Sequence, residues 1–169
     1  MKLAKYAFLT GLAVALVFAP GCKRKSGDSH MLSVVQMGDP QAQGQLVSGF
    51  YAIEEGAWRW TKQKFSVLLG APAGAAQKGA WLRVEVTAPD ALIAKVGAVT
   101  LTARVNGEVL APETYSAAGT YTYERAVAAG SLEDVPVRVD FTLDKTMQPD
   151  PPDRRTLGIV VTSAGLEPK

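Results

Sequence analysis

The sequence predicts an all-β fold, a single antiparallel β-sandwich of the jelly-roll-like or immunoglobulin-like kind, and three observations support this prediction. First, apolar and polar residues alternate in three runs, at 82–87, 99–106 and 137–144. A period of two is that of a strand with one buried and one solvent-facing side. Second, clusters of Gly, Pro and Asp separate the runs, as turns do in such folds. Third, no segment has the apolar period of a long amphipathic helix.

The remaining elements follow in chain order. Weaker strands are expected near 47–53, 57–61, 64–69, 119–128 and 156–163. Asn106-Gly107 predicts a tight hairpin, because both residues tolerate positive φ. Residues 91–98 are expected to form about one helical turn. The pair of cysteines that links the sheets of antibody domains is absent.

The first residues have the features of an export signal. Lys2 and Lys5 precede an apolar run at 6–19, which is shorter than the roughly 18–20 residues that span a bilayer. The sequence that follows, Ala19-Pro20-Gly21-Cys22, resembles a lipobox, at which a signal peptide is removed and the cysteine carries lipid. Ordinary secretory cleavage is the alternative. We therefore expect a lipoprotein signal peptide at 1–21.

Cys22 is the only cysteine in the chain, so disulfides do not explain it and acylation does. Several acyl chains hold a protein stably on a bilayer, so the expected partner is the membrane itself, in the cell envelope. The next three residues are basic and either lie at lipid headgroups or simply begin a tether. Because Lys23 rather than Asp follows the cysteine, the outer membrane is favoured over the inner one.

Residues 22–45 contain Gly, Pro, Ser and Gln without a sustained period, which predicts a flexible tether after the lipidated cysteine. The stretch 31–37 is the alternative, as a first strand. The predicted β-sandwich domain then occupies 46–169. After residue 21 the chain has 16 basic and 16 acidic side chains, and no basic stripe with interleaved aromatics is evident, so nucleic acid is not expected as a partner.

Two segments stand out by their composition. They contain the candidate site residues Tyr51, Glu54, Trp58, Arg59 and Trp60 in the first, and Asp153 and Arg155 in the second. Together, Gly-Phe-Tyr-x-x-Glu, Arg-Trp-Thr and Asp-x-Arg-x-Leu-Gly resemble a signature of small β-sandwich domains in bacterial surface-glycan proteins. The resemblance covers about 49–163 and implies an accessory role beside glycosyltransferases and related enzymes, with no catalytic residue.

The residues themselves leave two interpretations open. In the first, Arg59 is partly buried beside tryptophans and pairs with Asp153 or a nearby carbonyl, since a desolvated charge needs a partner. In the second, Trp58, Trp81 and several tyrosines form a carbohydrate-binding surface. Trp60 is expected in the core. The Trp58–Thr61 segment is expected to lie beside the start of the final strand.

Most catalytic chemistry is disfavoured by composition. His30 is the only histidine, so neither a Cys/His pair nor a zinc set is expected, and no metal or cofactor is predicted. The pairs at 54–55 and 133–134 are carboxylate candidates by residue type alone. Asp150 and Asp153 are too few for calcium. The leading hypothesis is a membrane-tethered, non-enzymatic binding or assembly module with an envelope protein or glycan as partner. The alternative is a carbohydrate-binding or accessory module in surface-glycan synthesis or processing.

Overall fold

The computed structural model describes residues 31–169, and in these residues it is an all-β antiparallel fold, as predicted. Its strands are β1 (Val34–Gln36), β2 (Leu46–Phe50), β3 (Arg59–Leu69), β4 (Ala80–Ala88), β5 (Val99–Val105), β6 (Glu108–Val109), β7 (Glu113–Tyr115), β8 (Gly119–Val127), β9 (Val137–Leu143) and β10 (Val160–Pro168). Its helices are α1 (Ala75–Lys78) and α2 (Asp90–Val96), with 3₁₀ helices at Pro40–Gln45 and Ala129–Leu132. The signal peptide, Cys22 and the start of the tether lie outside the described residues.

Two sheets enclose one core and share a strand. The first sheet contains β1, the start of β3, β10, β4 and β8, and the second contains β2, the rest of β3, β9, β5, β6 and β7. In the first sheet β10 is central, with β4 on one side and both β1 and β3 on the other. Alternate residues of the strands face the core, where Val84, Phe65 and Phe141 are at most 1% exposed.

The alternating runs are strands, as the sequence predicts. They form β4, β5 and β9, each with buried residues at every second position. The predicted hairpin is also present, because Asn106 and Gly107 have φ values of 45° and 93° between β5 and β6. The helical turn expected at 91–98 is the seven-residue α2. Helix α1 lies in a segment that the sequence predicts as a loop.

Strand β3 differs from the two separate strands expected at 57–61 and 64–69. It is one strand of eleven residues whose start pairs with β10 and whose second half pairs with β9. At 62–64, between these two parts, three consecutive residues are exposed and alternation is lost. The strand passes from one sheet to the other at this corner, which explains why the sequence pattern divides it.

The expected tether does not extend to residue 45. Residues 34–36 form β1, as in the alternative interpretation of 31–37, and the side chains of Val35, Met37 and Ala42 are fully buried. The side chain of Gln45 bonds to both main-chain groups of Leu32 and to a carbonyl of β3. The predicted domain boundary at residue 46 is therefore wrong. It was misplaced because the alternation in β1 is too short to be distinguished from a loop.

The chain enters the domain at one end of the sandwich, and the β3 corner lies at the other end. The amide of Gly70 donates to the carbonyl oxygen of Leu32 at 3.0 Å, which places the entry beside the end of β3. Lys64 precedes Gly70 by six residues, which corresponds to about 20 Å along a strand. The corner and the entry are therefore separated by most of the length of the sandwich.

Candidate functional site

The two motif segments meet at the β3 corner. Nη1 of Arg155 lies 2.6 Å from Oε1 of Glu54, although the two residues are 101 positions apart. The turn after Glu54 has positive φ at Glu55 (51°) and Gly56 (70°), and it brings the chain back so that the amide of Glu54 donates to the carbonyl of Trp58. The sequence motifs therefore mark one site, formed by the β2–β3 connection and the segment before β10.

Arg155 is fixed by two carboxylates. Its Nε and Nη2 donate to the carboxylate of Asp153 at 3.1 and 2.8 Å, and its amide donates to Oδ1 of the same residue. Hydrogen bonds to Asp153, and then to Glu54, raise the pKa of the Arg155 guanidinium above its usual value. The bond from Arg155 lowers the pKa of Asp153. Both ends of this bidentate pair thus stay charged at neutral pH.

Tyr51 is held at three points beside Arg155. Its hydroxyl donates to the carbonyl of Thr156 at 2.9 Å, its amide donates to the carbonyl of Trp60 at 3.0 Å, and its own carbonyl accepts a bond from Arg59. The Arg155 guanidinium lies 5.2 Å from the ring centroid and Nζ of Lys62 lies 5.6 Å from it. These are cation–π distances, so cations already surround this ring.

Arg59 does not pair with Asp153 but binds main-chain carbonyls, which are the other kind of partner that the sequence predicts. Arg59 is 5% exposed, and its Nε and Nη1 donate to the carbonyls of Met37 and Tyr51, each at 2.9 Å. Its position in β3 directs it inward, where these carbonyls are within reach, while Asp153 binds the arginine two residues further on. Burial lowers the pKa of Arg59. The expected adjacency of β3 and the final strand is confirmed, since Arg59 pairs with Val161.

The two tryptophans lie on the outer side of β3. Trp60 and Lys62 alternate with the buried Arg59 and Thr61, so they project away from the core. Trp58 and Trp60 pack edge to face, with ring centroids 6.2 Å apart. Trp60 is half-buried and packs against the core, so it lies at the margin of the core in which the sequence places it.

An open depression of about 580 Å³ lies beside Tyr51 and Arg155. It is lined by Tyr51, Lys62, Gln63, Lys64, Arg154, Arg155 and Thr156. Within residues 31–169, no carboxylate lies within 4 Å of the cationic groups of Lys62, Lys64 and Arg154. These three residues were not among the candidates predicted from the sequence. The available signal was the run of three polar residues at 62–64, which interrupts the alternation of β3.

A smaller cavity of about 300 Å³ adjoins the depression at Arg155. Met147, Leu157, Pro151 and Pro152 give it an apolar lining, and the ion pair between Lys95 and Asp150 lies at its edge. Arg155 lines both spaces and separates them. This cavity and the depression together form a two-part surface beside the fixed arginine.

Three acidic residues of the site are engaged by cations. Asp150 pairs with Lys95, and Asp153 and Glu54 both pair with Arg155. In residues 31–169 no group of three or more His, Cys, Asp and Glu side chains is arranged to hold a metal ion. This arrangement favours electrostatic binding of a ligand by the basic side chains.

Two further observations concern the helices and the comparison with known proteins. Among residues 31–169, every helix is too short or too polar to cross a membrane. The predicted lipidation at Cys22 lies outside these residues. The sequence matches no model of a known protein family and no curated protein.

Proposed function

We propose that the chain is a membrane-tethered, non-enzymatic binding or assembly module of the bacterial cell envelope, anchored by lipid on Cys22. One observation carries the binding part of the proposal: two remote segments converge on a fixed pair, Tyr51 and Arg155, beside cations without a carboxylate partner in residues 31–169. A rigid support under exposed charged groups is what a binding site requires. The anchoring part depends on the sequence around the cysteine.

The charges at the site support binding over catalysis. A general acid near neutral pH needs a raised carboxyl pKa, but the pKa of Asp153 is lowered by its bond from Arg155. Glu54 is held by the same guanidinium. Both carboxylates therefore act as supports that position Arg155.

A carbohydrate-binding or surface-glycan accessory module is the second candidate. The half-exposed pair of Trp58 and Trp60, on the outer side of β3 beside Lys62, favours it. Aromatic rings are suited to the apolar faces of sugars, and basic side chains are suited to their acidic groups. The resemblance to domains of surface-glycan proteins agrees with this candidate.

Anchoring is tested by replacing the cysteine in the full chain. Cys22→Ser should abolish incorporation of radiolabelled palmitate, and the protein should be either released or mislocalised with its signal peptide uncleaved. Ser26→Ala, four residues further along, is the matched control and should leave both unchanged. Mass spectrometry that shows an unmodified thiol on a membrane-free protein would contradict the proposal.

A further inference from the structure

The depression contains more positive charge than its surroundings neutralise. Glu54 and Asp153 both bind Arg155, so their charges are committed to that residue. The remaining cationic groups, on Lys62, Lys64 and Arg154, have no carboxylate within 4 Å among the described residues. Three like charges around one depression repel one another, and an anionic ligand removes that repulsion.

The neighbouring surface adds flat apolar area to this charge. Trp58 and Trp60 lie on the same side of β3 as Lys62 and are only half-buried. Tyr51 is surrounded by Lys62 and Arg155, so its ring is less available than the two indoles. The surface therefore combines free aromatic area with free cationic groups along one strand.

We propose that this surface binds an acidic saccharide, with its carboxylate or phosphate groups on Lys62, Lys64 and Arg154 and a sugar ring against the tryptophan pair. This inference rests on the proposed function, because it names the ligand of the same site. The volume of about 580 Å³ lies within the usual range for small-ligand sites. Its openness to solvent allows a longer chain to continue beyond it.

The topology favours a saccharide over a lipid headgroup. The chain enters the domain beside Gly70, and Lys64 lies six residues, or about 20 Å, away along β3. Eight residues lie between Cys22 and Met31, so the chain from one to the other spans at most about 30 Å. A lipid headgroup therefore reaches the depression only if the chain folds back over most of the sandwich, whereas a saccharide in solution reaches it in every other orientation of the domain.

Calorimetry with the full chain, extracted in detergent, tests this proposal. The probes are a panel of oligo-uronates and oligosaccharide phosphates, their carboxyl-reduced or dephosphorylated counterparts, and glycerol phosphate as the water-soluble headgroup of an anionic phospholipid. We expect at least one acidic saccharide to bind, and to bind about tenfold more weakly after its charge is removed. Lys62→Gln with Lys64→Gln should weaken binding by a similar factor, and Lys78→Gln, an exposed lysine of α1, should not.

The proposal is overturned if the neutral counterparts bind as well as the acidic probes, if no saccharide binds, if only glycerol phosphate binds, or if the double variant binds normally. Near-ultraviolet circular dichroism establishes that each variant is folded. Trp58→Ala supplies a second readout, since it should weaken saccharide binding without changing the dependence on salt. Membrane association of the full chain is measured separately. Failure of the saccharide proposal can therefore be distinguished from failure of the proposed lipid anchor.

Discussion

Replacing Arg59 by alanine should destabilise the domain severely, although the residue contacts no acidic partner. The guanidinium donates to the carbonyls of Met37 and Tyr51, and thereby joins the segment before the 3₁₀ helix, the start of β3 and the β2–β3 connection. Alanine leaves both carbonyls without this donor in a region where the arginine itself is 5% exposed. Each buried polar group left unpaired costs about 1–3 kcal/mol, so the expected loss is about 2–6 kcal/mol.

That loss is a large part of a typical total stability of about 5–15 kcal/mol. Urea unfolding, followed by circular dichroism and tryptophan fluorescence, measures it as a change in midpoint at constant slope. Arg104→Ala, at an exposed position of β5, is the matched control and should change stability by less than about 0.5 kcal/mol. A loss below about 1 kcal/mol for Arg59→Ala would refute the reasoning, because water would then satisfy the carbonyls equally well.

Three further changes should have distinct effects. A chain that begins at Leu46 should fail to fold cooperatively by circular dichroism, because it lacks β1 and side chains that are fully buried in the longer chain. Gly49→Ala should lower the thermal midpoint strongly, since φ is +79° and a Cβ would lie 2.0 Å from the carbonyl oxygen of Lys64, whereas Gly130→Ala, with open space around it, should not. The bond from Arg138 lowers the pKa of Asp140, so this aspartate stabilises the fold above its unfolded pKa of about 3.9. Its contribution is lost as pH falls through the lower folded value, and the difference in midpoint between wild type and Asp140→Asn should disappear there. A difference that does not shrink as the pH is lowered would exclude that ion pair as its cause.

The sequence predicts those strands that have one side exposed to solvent and the other side buried in the core. Arg83, Arg104 and Arg138 alternate with buried residues in β4, β5 and β9, so a period of two identifies each strand. The period is lost where β3 turns from one sheet to the other, and there the prediction divided one strand in two. Residues 34–45 were assigned to the tether because β1 has only one buried side chain, too few to show a pattern.

The sequence predicts only part of the site, because it reveals unusual motifs but not which groups the fold brings into contact with them. The sequence identified Glu54 and Arg155 by their motifs, and the structure brings them together. It predicts a carbonyl as one possible partner of Arg59 but not which carbonyl, because every residue supplies one and none carries a sequence signal. The lysines of the depression were missed for a related reason, since isolated surface lysines are ordinary until the fold shows which loops surround them.

The central position of β10 has a consequence for when the chain can fold. In the first sheet, β1, β3 and β4 all pair with β10, the last strand of the domain. No hydrogen-bonded strand therefore joins these three strands to one another until β10 has been made. Pairings between distant segments form slowly and late. The pairs β4–β8 and β3–β9 can form before β10 is made, but the first sheet cannot close until residues 160–168 have joined it.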